Sequence, residues 1–572
     1  MSASWVEIRK SGDYVKMGQT LGVDPVIARI LNNRGIPFEE MEYFLYGDLD
    51  DLKSPHLMEN LDALCIALKE KIDGGKKIRI IGDYDIDGVF AAYILYKALS
   101  RVEAVVDVVL PHRIYDGYGM NPSMIEKASA DGVDTIITCD NGISAFAEIE
   151  LANSLGMTVF ITDHHEIPFH YEDDKKVIDL PSARVVVDPK LMSEDFYHNL
   201  CGAAVCYKLS QVLYELYGID DCEEFLEYAA FATIGDIMPL IGENRIIVKH
   251  GLERLKNTQN EGLRALIKAC ELEGDITPYH VGFVLGPCIN ASGRLDDAMD
   301  SFDLLCADAM TAPTKANFVR TQNEERKALT EEGLKVAMEM VDVDNLPHVI
   351  VLLLPNVHES LLGIIAGKLK ESFYRPAIAF TLTEDGVKGS GRSIDAYNLY
   401  EHLSECKDMF SKFGGHAAAA GLSIKCKSSD AEKKVEELSA FLNANDNLFD
   451  KDFEKKIEID AVLPFSYITE ALVDDLHILE PMGNGLKKPV FATRNVKFHS
   501  GRILGAARRT FKATAVDDSG KNIDALFFGE EEQVREFSAL CAEGKAFSVL
   551  YYPQINEFRG VKNLQIVIQD YR

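Results

Sequence analysis

The sequence has no long apolar run. Nothing in its 572 residues approaches the ~18 consecutive apolar residues of a membrane helix. The first residues, MSASWVEIRKSGDY, contain no apolar segment after their basic residues, as a secretory signal would require. We therefore expect neither a membrane span nor a signal peptide, and we expect a cytoplasmic protein.

The cysteines have neither metal-binding nor disulfide spacing. There are 11 of them, scattered along the chain, with no CxxC pair. Zinc ribbons and knuckles need such pairs, so we do not expect that class of site. An odd number without framework spacing is typical of a reducing compartment, where thiols pack as small core residues.

The sequence also lacks an excess of positive charge: 60 Lys and Arg stand against 91 Asp and Glu, a formal net charge of −31 at pH 7. Nucleic-acid-binding proteins usually carry a basic surface. The charge is uneven, however, because residues 486–572 contain 14 Lys and Arg against 10 Asp and Glu, a net charge of +4. Carboxylates that bind metal ions also add acidic residues while creating a positive site once loaded. The composition therefore does not exclude a nucleic-acid substrate.

Length and patterning predict an α/β protein of several domains. Domains of soluble proteins typically contain about 150 residues, so a chain of this length is expected to form three or four. From about residue 75, short β-branched runs such as KIRIIGD and DTIITCD alternate with stretches of helical spacing such as GVFAAYILYKALSRV. This alternation predicts a parallel sheet with helices on both faces.

Five segments are expected along the chain. The charged stretch near 311–342 has the spacing of a long helix, and the turn-separated strands near the end are compatible with a small OB-type barrel. The predicted boundaries are a helical N-terminal extension at 1–60, a parallel-sheet domain at 61–310, a connecting helix at 311–342, a second α/β domain at 343–450 and an OB-like barrel at 455–572.

Acidic residues and a histidine pair follow three of the predicted parallel strands. They are Asp83, Asp85 and Asp87 in IRIIGDYDIDG, Asp140 in TIITCDNG, and Asp163, His164 and His165 in FITDHHE. A further carboxylate, Asp236, ends the apolar helix in FATIGDIMPL. Because ligands of open parallel sheets bind beyond the carboxyl ends of the strands, these side chains should converge on one site.

Such a cluster requires a counter-charge, because neighbouring carboxylates raise one another's pKa. Carboxylates and imidazole suit Mn²⁺ or Mg²⁺, and two ions about 3.5–4 Å apart can bridge a nucleophilic water and a phosphate. DxDxDG also opens an EF-hand loop, but that loop needs Glu at its twelfth position, where this sequence has Ile94. A single Asp after a strand is more often a turn or capping residue, so the prediction depends on several strand ends together.

Four of these segments resemble, in order and spacing, the motifs of DHH phosphoesterases; they are Asp83–Gly88, Asp140, Asp163–His165 and Asp236. FGGHAAAAG at 413–421 resembles the GGHxxAAG signature of the associated DHHA1 domain. Other segments narrow the resemblance to the RecJ exonucleases; they are PHRIYDGYG, CGAAVCYKL, GPCINASGRLDDA, NEERK, SFYRP and GSGRSI. The resemblance covers roughly residues 20–572 and identifies the two α/β domains as DHH and DHHA1-like.

The resemblance implies a two-metal 5′→3′ exonuclease that releases nucleotides from single-stranded DNA in repair and recombination, with Mn²⁺ or Mg²⁺. It implies single-stranded DNA as the partner, and a single-stranded-DNA-binding protein and a repair helicase as further partners. The implied metal ligands, all in the catalytic set, are Asp83, Asp85, Asp87, Asp140, His164 and Asp236. His165 joins the catalytic set as a contact to the scissile phosphate. The implied nucleic-acid-binding residues are Arg113, Arg294, Ser390, Arg392, Gly415 and His416.

Three positions depart from the family pattern. Cys288 stands where the family usually has Arg in GPRINA, which would remove one phosphate contact. Ser360 replaces a usual glycine, and the terminal PFGxGNP motif is written PMGNGLKKP at 481–489. None of the three lies in a metal motif, so they bear on substrate grip and processivity rather than on the chemistry.

Two other functions remain open from the sequence. A DHH phosphodiesterase for short oligonucleotides or cyclic dinucleotides would share the motifs, but such chains usually have only the two catalytic domains. A non-catalytic scaffold would have lost metal ligands, whereas all four motifs are intact here. The basic barrel favours long strands, and its residues Tyr551, Tyr552 and Phe558 are either exposed stacking surfaces or part of the barrel core.

Overall fold

Three large β-sheets organise the described part of the chain, two of them packed against helices and the third closed on itself. The computed structural model describes residues 3–173, 175–193, 195–219, 222–558 and 561–572. Within these ranges, none of the helices is long and apolar enough to cross a membrane. The predicted class is confirmed: a parallel-sheet domain, a long connecting helix, a second α/β domain and a C-terminal OB-like barrel.

The N-terminal region consists of one strand and four helices: β1 Ser4–Glu7, α1 Tyr14–Leu21, α2 Pro25–Asn33, α3 Phe38–Tyr46 and α4 Leu61–Asp73. The first three helices bury their apolar faces in the same core as the C-terminal barrel. The side chain of Asn33 donates to the Asp460 carbonyl at 3.1 Å, across 427 residues of sequence. Helices α1–α3 therefore complete the C-terminal unit, whereas α4 packs in the core of the parallel-sheet domain.

The first α/β unit is built on a five-stranded parallel sheet. Its strands are β2 Lys77–Ile81, β3 Val105–Val109, β4 Thr135–Cys139, β5 Thr158–Thr162 and β8 Val185–Val187, and a hairpin of β6 Phe169–Glu172 and β7 Lys175–Ile178 separates the last two. The strand order is β3-β2-β4-β5-β8. The chain moves from β2 to β3 and then crosses to β4 on the other side of β2. This crossing creates a switch point at the carboxyl ends of β2 and β4, where doubly wound sheets bind ligands.

Helices cover both faces of this sheet and continue beyond it. They are α5 Ile86–Arg101, α6 Pro122–Ala130, α7 Phe146–Ser154, α8 Gly202–Tyr217, α9 Leu226–Gly235, α10 Gly242–Lys256, α11 Glu261–Ala269, α12 Pro278–His280, α13 Gly286–Leu295 and α14 Met299–Leu305. One apolar core joins the sheet to α5 and α8, and another joins it to α6 and α7. The connecting helix, α15, spans Ala312–Met340.

The second α/β unit has a mixed sheet. Its elements are β9 Ile350–Leu353, α16 Leu362–Phe373, β10 Ala377–Thr383, β11 Gly386–Arg392, α17 Leu399–Glu405, β12 Lys412–His416, β13 Ala419–Lys425 and α18 Ala431–Ala444. The strand order is β12-β13-β11-β10-β9, and the β9–β10 pair is parallel while the other pairs are antiparallel.

The C-terminal unit is a closed barrel. Its elements are β14 Lys456–Ile459, β15 Ala461–Val462, α19 Glu470–Leu476, β16 Phe491–Leu504, β17 Thr510–Val516, β18 Asn522–Phe528, α20 Glu531–Ala542, β19 Phe547–Phe558 and β20 Val561–Tyr571. Strand β16 pairs with both β17 and β19, so the ring β16-β17-β18-β20-β19 closes on itself. Strand β14 pairs in parallel with β1.

The sequence left open whether Tyr551 and Tyr552 of the barrel are exposed stacking surfaces or core residues. Tyr551 is 0% and Tyr552 6% exposed, and both belong to the barrel core. The Tyr551 hydroxyl lies 2.9 Å from the Thr493 hydroxyl. The side chain of Phe558 lies outside the described part of the structure. Tyr551 and Tyr552 are therefore core residues and not stacking surfaces.

Candidate metal centre

The first acidic motif turns from β2 into α5. Asp83 follows the strand, and Asp85 caps the helix by accepting hydrogen bonds from the backbone amides of Asp87 and Gly88, at 3.0 and 3.2 Å. A Cβ atom at Gly88 would lie 2.5 Å from the Asp83 backbone nitrogen. Glycine is therefore required for α5 to begin this close to the strand end, which places all three carboxylates together.

Asp87 is fixed by the start of a second helix. Its carboxylate accepts hydrogen bonds from the backbone amides of Gly202, at 2.6 Å, and Ala203, at 2.8 Å. These amides belong to the first turn of α8, where unpaired N–H groups favour a negative charge. A Cβ atom at Gly202 would lie 2.7 Å from the Asp140 Cβ, so glycine allows the helix end to reach the cluster.

The histidine motif is oriented by Asp163. One carboxylate oxygen accepts from the backbone amides of His164 and His165, at 2.8 and 3.2 Å, and also lies 2.7 Å from His165 Nδ1. The other oxygen accepts from the Ile143 amide at 2.9 Å. Burial favours a raised pKa for Asp163, but His165 and the other donors hold that pKa below its ordinary value. Asp163 thus positions the two imidazoles.

His164 is the centre of the cluster. Its Nε2 atom lies 3.0 Å from a carboxylate oxygen of Asp140, 3.5 Å from one of Asp87 and 3.9 Å from one of Asp236. Asp140 follows β4 with a φ of 60°, a left-handed conformation that Asp tolerates better than most residues. Asp236 follows α9 as its C-cap. The structure thus brings residues from three strand ends and one helix end together.

Two groups of three side chains could each hold a metal ion. One is Asp87, His164 and Asp236, and the other is Asp83, Asp85 and Asp140. Within each group the potential ligand atoms lie within 4.8 Å of one another. Together the groups contain each of the six predicted metal residues once. A third group, which shares members with both, adds His165.

The electrostatics of the cluster fit divalent cations. Burial, followed by the charge of Asp85, raises the pKa of Asp83 to about 8. Burial, followed by Asp87 and Asp85, raises the pKa of Asp236 to about 8 and moves that of Asp140 in the same direction. Burial lowers the pKa of His164, which favours the neutral imidazole that binds metals. Oxygen and imidazole donors without a thiolate suit Mn²⁺ or Mg²⁺.

His165 differs from His164 in its exposure, because 44% of its side chain is accessible to solvent. Burial alone would lower its pKa, but the hydrogen bond to Asp163 and nearby carboxylates raise it to about 9. The hydroxyl of Tyr118 lies 3.0 Å from His165 Nε2 and donates to the Asp140 carbonyl at 3.2 Å. His165 therefore lies at the solvent-accessible side of the cluster.

Three of the predicted phosphate-binding arginines lie near one another. The guanidinium of Arg113 lies 4.7 Å from the centre of the Tyr84 ring, next to the first acidic motif. Burial, followed by the charges of Arg113 and Arg326, lowers the pKa of Arg294 to about 10. Burial, followed by the charge of Arg113, also lowers the pKa of Arg392. The structure thus places these positive charges close together beside the acidic cluster.

The hydrogen-bond partners of Arg294 and Arg392 belong to the second α/β unit. Arg294, on α13, donates to the Ser360 carbonyl at 3.1 Å. Arg392 donates to the Ser390 hydroxyl at 3.2 Å and to the Gly391 carbonyl at 2.8 Å. Carbonyl and hydroxyl partners leave the guanidinium charges available for an anion.

Gly415 and His416 lie at the same end of the sheet as Arg392. In the strand register, Arg392 pairs with Ala419 and Ala419 pairs with His416. Gly415 has a φ of 145°, and a Cβ atom there would lie 2.3 Å from the Ala419 carbonyl oxygen. Both residues are exposed. They form the tip of a hairpin two strands away from Arg392.

Comparisons with known proteins show the family to which the chain belongs. Family models match residues 77–235 as the N-terminal domain of the DHH family, residues 346–445 as a DHHA1 domain and residues 459–570 as a RecJ OB domain. The single-stranded-DNA-specific exonuclease RecJ of Bacillus subtilis is 34% identical over 576 residues, which cover 99% of this chain and 70% of that protein. The chain belongs to the RecJ family.

Other RecJ proteins are similar over nearly the whole chain. The single-stranded-DNA-specific exonuclease RecJ of Escherichia coli is 29% identical, with 96% of this chain and 95% of that protein covered. The crystal structure of RecJ from Thermus thermophilus in complex with Mn²⁺ has a TM-score of 0.83 and 25% identity, covering 100% of this chain and 79% of the other. A crystal structure of exonuclease RecJ bound to manganese has a TM-score of 0.60 and 30% identity, covering 70% and 98%.

Two residues in RecJ-like segments have contacts that sequence reasoning did not assign. Tyr118 lies in PHRIYDGYG and contacts His165, as described above. Arg326 lies in NEERK; its Nε donates to the Asn323 side chain at 3.1 Å, and its charge contributes to the lowered pKa of Arg294. Their presence in segments that resemble RecJ was the available signal. Neither follows from residue type alone.

Cys288, which replaces the usual RecJ arginine, is a core residue. It is 1% exposed, its Sγ lies 3.9 Å from the Sγ of Cys270, and it accepts from the Asn323 amide at 3.4 Å. A thiol in this environment offers no contact to a phosphate. Ser360, which replaces the usual glycine, is also buried. Its carbonyl accepts a hydrogen bond from Arg294, so this substitution directly contacts a predicted phosphate-binding residue.

Proposed function

We propose that this RecJ-family chain is a metal-dependent exonuclease that hydrolyses the phosphodiester bonds of single-stranded DNA from 5′ to 3′ and releases nucleotides. One observation carries the proposal: the six predicted ligands form two separate groups of three at the switch point of the parallel sheet. The RecJ relatives named above as single-stranded-DNA-specific exonucleases support it. The role would lie in DNA repair and recombination.

The two groups would hold two ions, Mn²⁺ or Mg²⁺. Asp87, His164 and Asp236 would bind one, and the remaining three carboxylates of the cluster would bind the other. When bound, such ions polarise the phosphate and provide a water of lowered pKa. The solved RecJ structure with Mn²⁺ supports the choice of metal.

The other residues of the centre would orient the substrate. His165 is exposed and fixed by Asp163, so it can donate to an oxygen of the scissile phosphate. The Tyr118 hydroxyl also contacts the His165 ring and so helps to fix its position. The backbone amides of Gly202 and Ala203 keep the Asp87 carboxylate aimed at its group.

The arginines would bind the strand by its phosphates. Guanidinium groups bind phosphate through paired hydrogen bonds. Arg113 lies close enough to Arg294 and Arg392 for its charge to contribute to the lowered pKa of each. Ser390 adds a hydroxyl beside Arg392. Gly415 and His416 would add backbone and imidazole contacts at the neighbouring hairpin. This cluster would anchor the 5′ end and so set the direction of digestion.

The division of labour follows the segments expected from the sequence. We propose catalysis in the DHH domain at 61–310, substrate binding in the DHHA1-like domain at 343–450 and strand binding in the barrel at 455–572, with the helix at 311–342 as connection. The partners would be single-stranded DNA, a single-stranded-DNA-binding protein and a repair helicase, in the cytoplasm. The closed barrel and its basic segment support binding of long strands rather than of dinucleotides.

A comparison of substrates tests this function. The full chain with Mn²⁺ is incubated with a long single strand, the corresponding blunt duplex, a short oligonucleotide and a cyclic dinucleotide, and the initial rates are compared. We expect the long single strand to be degraded fastest and the duplex hardly at all. A preference for the cyclic dinucleotide or the short oligonucleotide would contradict the proposal and favour a small-substrate phosphodiesterase.

A further inference from the structure

A loop of the C-terminal unit packs on the catalytic domain directly after Asp236. We define the docking loop as residues 478–486. Arg245, on α10 of the catalytic domain, is 3% exposed and donates to the carbonyls of Ile478, Glu480 and Pro481 at 3.0, 2.8 and 3.0 Å. A buried guanidinium needs all these acceptors, because unpaired buried donors are costly. Arg245 therefore fixes the docking loop against the catalytic domain.

Asp236 is the C-cap of α9 in a Schellman motif. The amide of Ile237 donates to the Ile234 carbonyl at 3.1 Å, and the amide of Met238 donates to the Thr233 carbonyl at 3.0 Å. This motif requires a left-handed residue at the position after the cap, which is usually glycine. Here that residue is Ile237, with a φ of 58°. A β-branched residue in this conformation is strained.

Neighbouring packing does not explain this conformation, because Ile237 is 71% exposed. Besides the two hydrogen bonds of the Schellman motif, Ile237 is held by a contact from the docking loop. The side-chain amide of Asn484 donates to the Ile237 carbonyl at 2.7 Å, and the Asn484 carbonyl accepts from the Leu240 amide at 2.8 Å. One residue of the C-terminal unit thus holds both ends of the segment that follows Asp236.

Two glycines allow the docking loop to approach this segment. A Cβ atom at Gly483 would lie 2.8 Å from Cδ1 of Leu240. Gly485 has a φ of 82°, and a Cβ atom there would lie 3.3 Å from Cγ2 of Ile241. These are the glycines of the PMGNG sequence, so the motif has the residues that this close contact requires.

We propose that Asn484 is a positioning residue for Asp236, and that the docking loop thereby forms part of the metal centre. This role of Asn484 rests on the proposed function, in which Asp236 is a metal ligand. Without the Asn484 amide, Ile237 can leave the left-handed conformation, which turns the peptide that follows Asp236 and moves its carboxylate away from His164. The metal group that contains Asp236 would then bind its ion less tightly.

The test measures metal binding by the full chain. Mn²⁺ titrations by calorimetry compare the wild type with Asn484→Ala, which keeps the backbone bond to Leu240. Loss of a residue that orients a ligand typically weakens metal affinity by about 10–100-fold, and we expect a loss in that range for one of two sites. Cleavage by the variant should recover at high Mn²⁺. Asn484→Gln, which retains the amide, should regain part of the affinity.

A matched control is Asn445→Ala. Asn445 is also exposed, and its amide donates to a backbone carbonyl, that of Phe441, at 2.8 Å in the second α/β unit. We expect Mn²⁺ affinity in this variant to equal that of the wild type. Circular dichroism should show both alanine variants folded, since each removes one exposed side-chain hydrogen bond.

A second substitution tests the physical cause. Ile237→Gly removes the strain at the left-handed position while deleting an exposed side chain. In that background we expect Asn484→Ala to weaken Mn²⁺ binding by a smaller factor than in the wild type. Equal factors in the two backgrounds, or unchanged Mn²⁺ affinity in Asn484→Ala, would overturn the positioning role. A wild-type chain that binds no Mn²⁺ would instead overturn the proposed function, and this inference with it.

Discussion

Asp140 combines a left-handed backbone conformation, a buried position and a carboxylate close to His164. Its φ is 60°, it is buried, and its carboxylate lies 3.0 Å from His164 Nε2. Asn and Asp adopt this conformation more readily than other non-glycine residues. Asparagine is therefore the substitution that removes the charge and keeps both the shape and the backbone.

We predict that Asp140→Asn lowers the rate of cleavage by more than about 1,000-fold, because metal ions contribute several kcal/mol of transition-state stabilisation. The metal-free variant should melt at or above the wild-type temperature, since one carboxylate repulsion is relieved. Initial rates at saturating Mn²⁺ and thermal denaturation measure the two effects. Asp303→Asn, which removes an exposed partner of Lys315, is the control. Activity near the wild-type value at saturating Mn²⁺ would refute the ligand assignment.

The second prediction at this scale concerns the 5′ phosphate. A 5′-phosphorylated single strand should be degraded faster than a 5′-hydroxyl strand, and Arg392→Ala should reduce that ratio. Hydrogen bonds to charged groups contribute about 1.5–3 kcal/mol, which corresponds to a change of roughly 10–100-fold. Arg264→Ala, which removes an exposed helical ion pair, should leave the ratio unchanged. The same phosphate preference in Arg392→Ala would show that the cluster does not anchor the end.

At the scale of elements, the sequence predicts the sheet and its acidic strand ends because both are local patterns. β-branched runs mark the strands; Asp140 directly follows β4, and Asp83 follows β2 after a single glycine. Contacts between distant segments are not visible in this way. Asn484 reaches Ile237 across 247 residues, and Tyr551 is buried by closure of a barrel whose strands alternate with turns. Neither contact leaves a signal in spacing or composition.

In the barrel, we expect β16 to contact the phosphates of single-stranded DNA. Its residues Lys497 and Arg502 are exposed. We predict that Lys497→Gln and Arg502→Gln each weaken binding of a long single strand and reduce the slope of log affinity against log salt by about 0.7. Fluorescence anisotropy at several salt concentrations measures the slope. Arg535→Gln, on α20 and paired with Glu531, is the control. Unchanged slopes in both β16 variants would show that the single-stranded DNA does not bind along β16.

At the scale of the whole molecule, acidic composition and local positive charge coexist. The net charge of −31 includes the carboxylates of the metal centre, whereas Arg113, Arg294 and Arg392 lie together beside it. Association with DNA depends on this local field more than on the total charge. The composition alone would therefore give the wrong impression of the substrate.

The barrel is not a removable appendage, because it shares a core with α1–α3 and its docking loop contacts the segment after Asp236. We predict that a chain ending near residue 450 loses helices α1–α3 and binds Mn²⁺ more weakly, in addition to any loss of strand binding. Hydrogen exchange of the N-terminal helices and Mn²⁺ calorimetry measure these effects. Protected helices and wild-type Mn²⁺ affinity in such a chain would show that the units are independent.

Metal-dependent 5′→3′ digestion is tested most directly with one 5′-phosphorylated single strand, labelled at either end and incubated with Mn²⁺ or with EDTA. We expect a 5′ label to appear at once in mononucleotides and a 3′ label to appear in progressively shorter strands. EDTA should abolish both. A 5′ label that remains on a ladder of shortening strands, or cleavage that continues in EDTA, would contradict a metal-dependent 5′→3′ exonuclease.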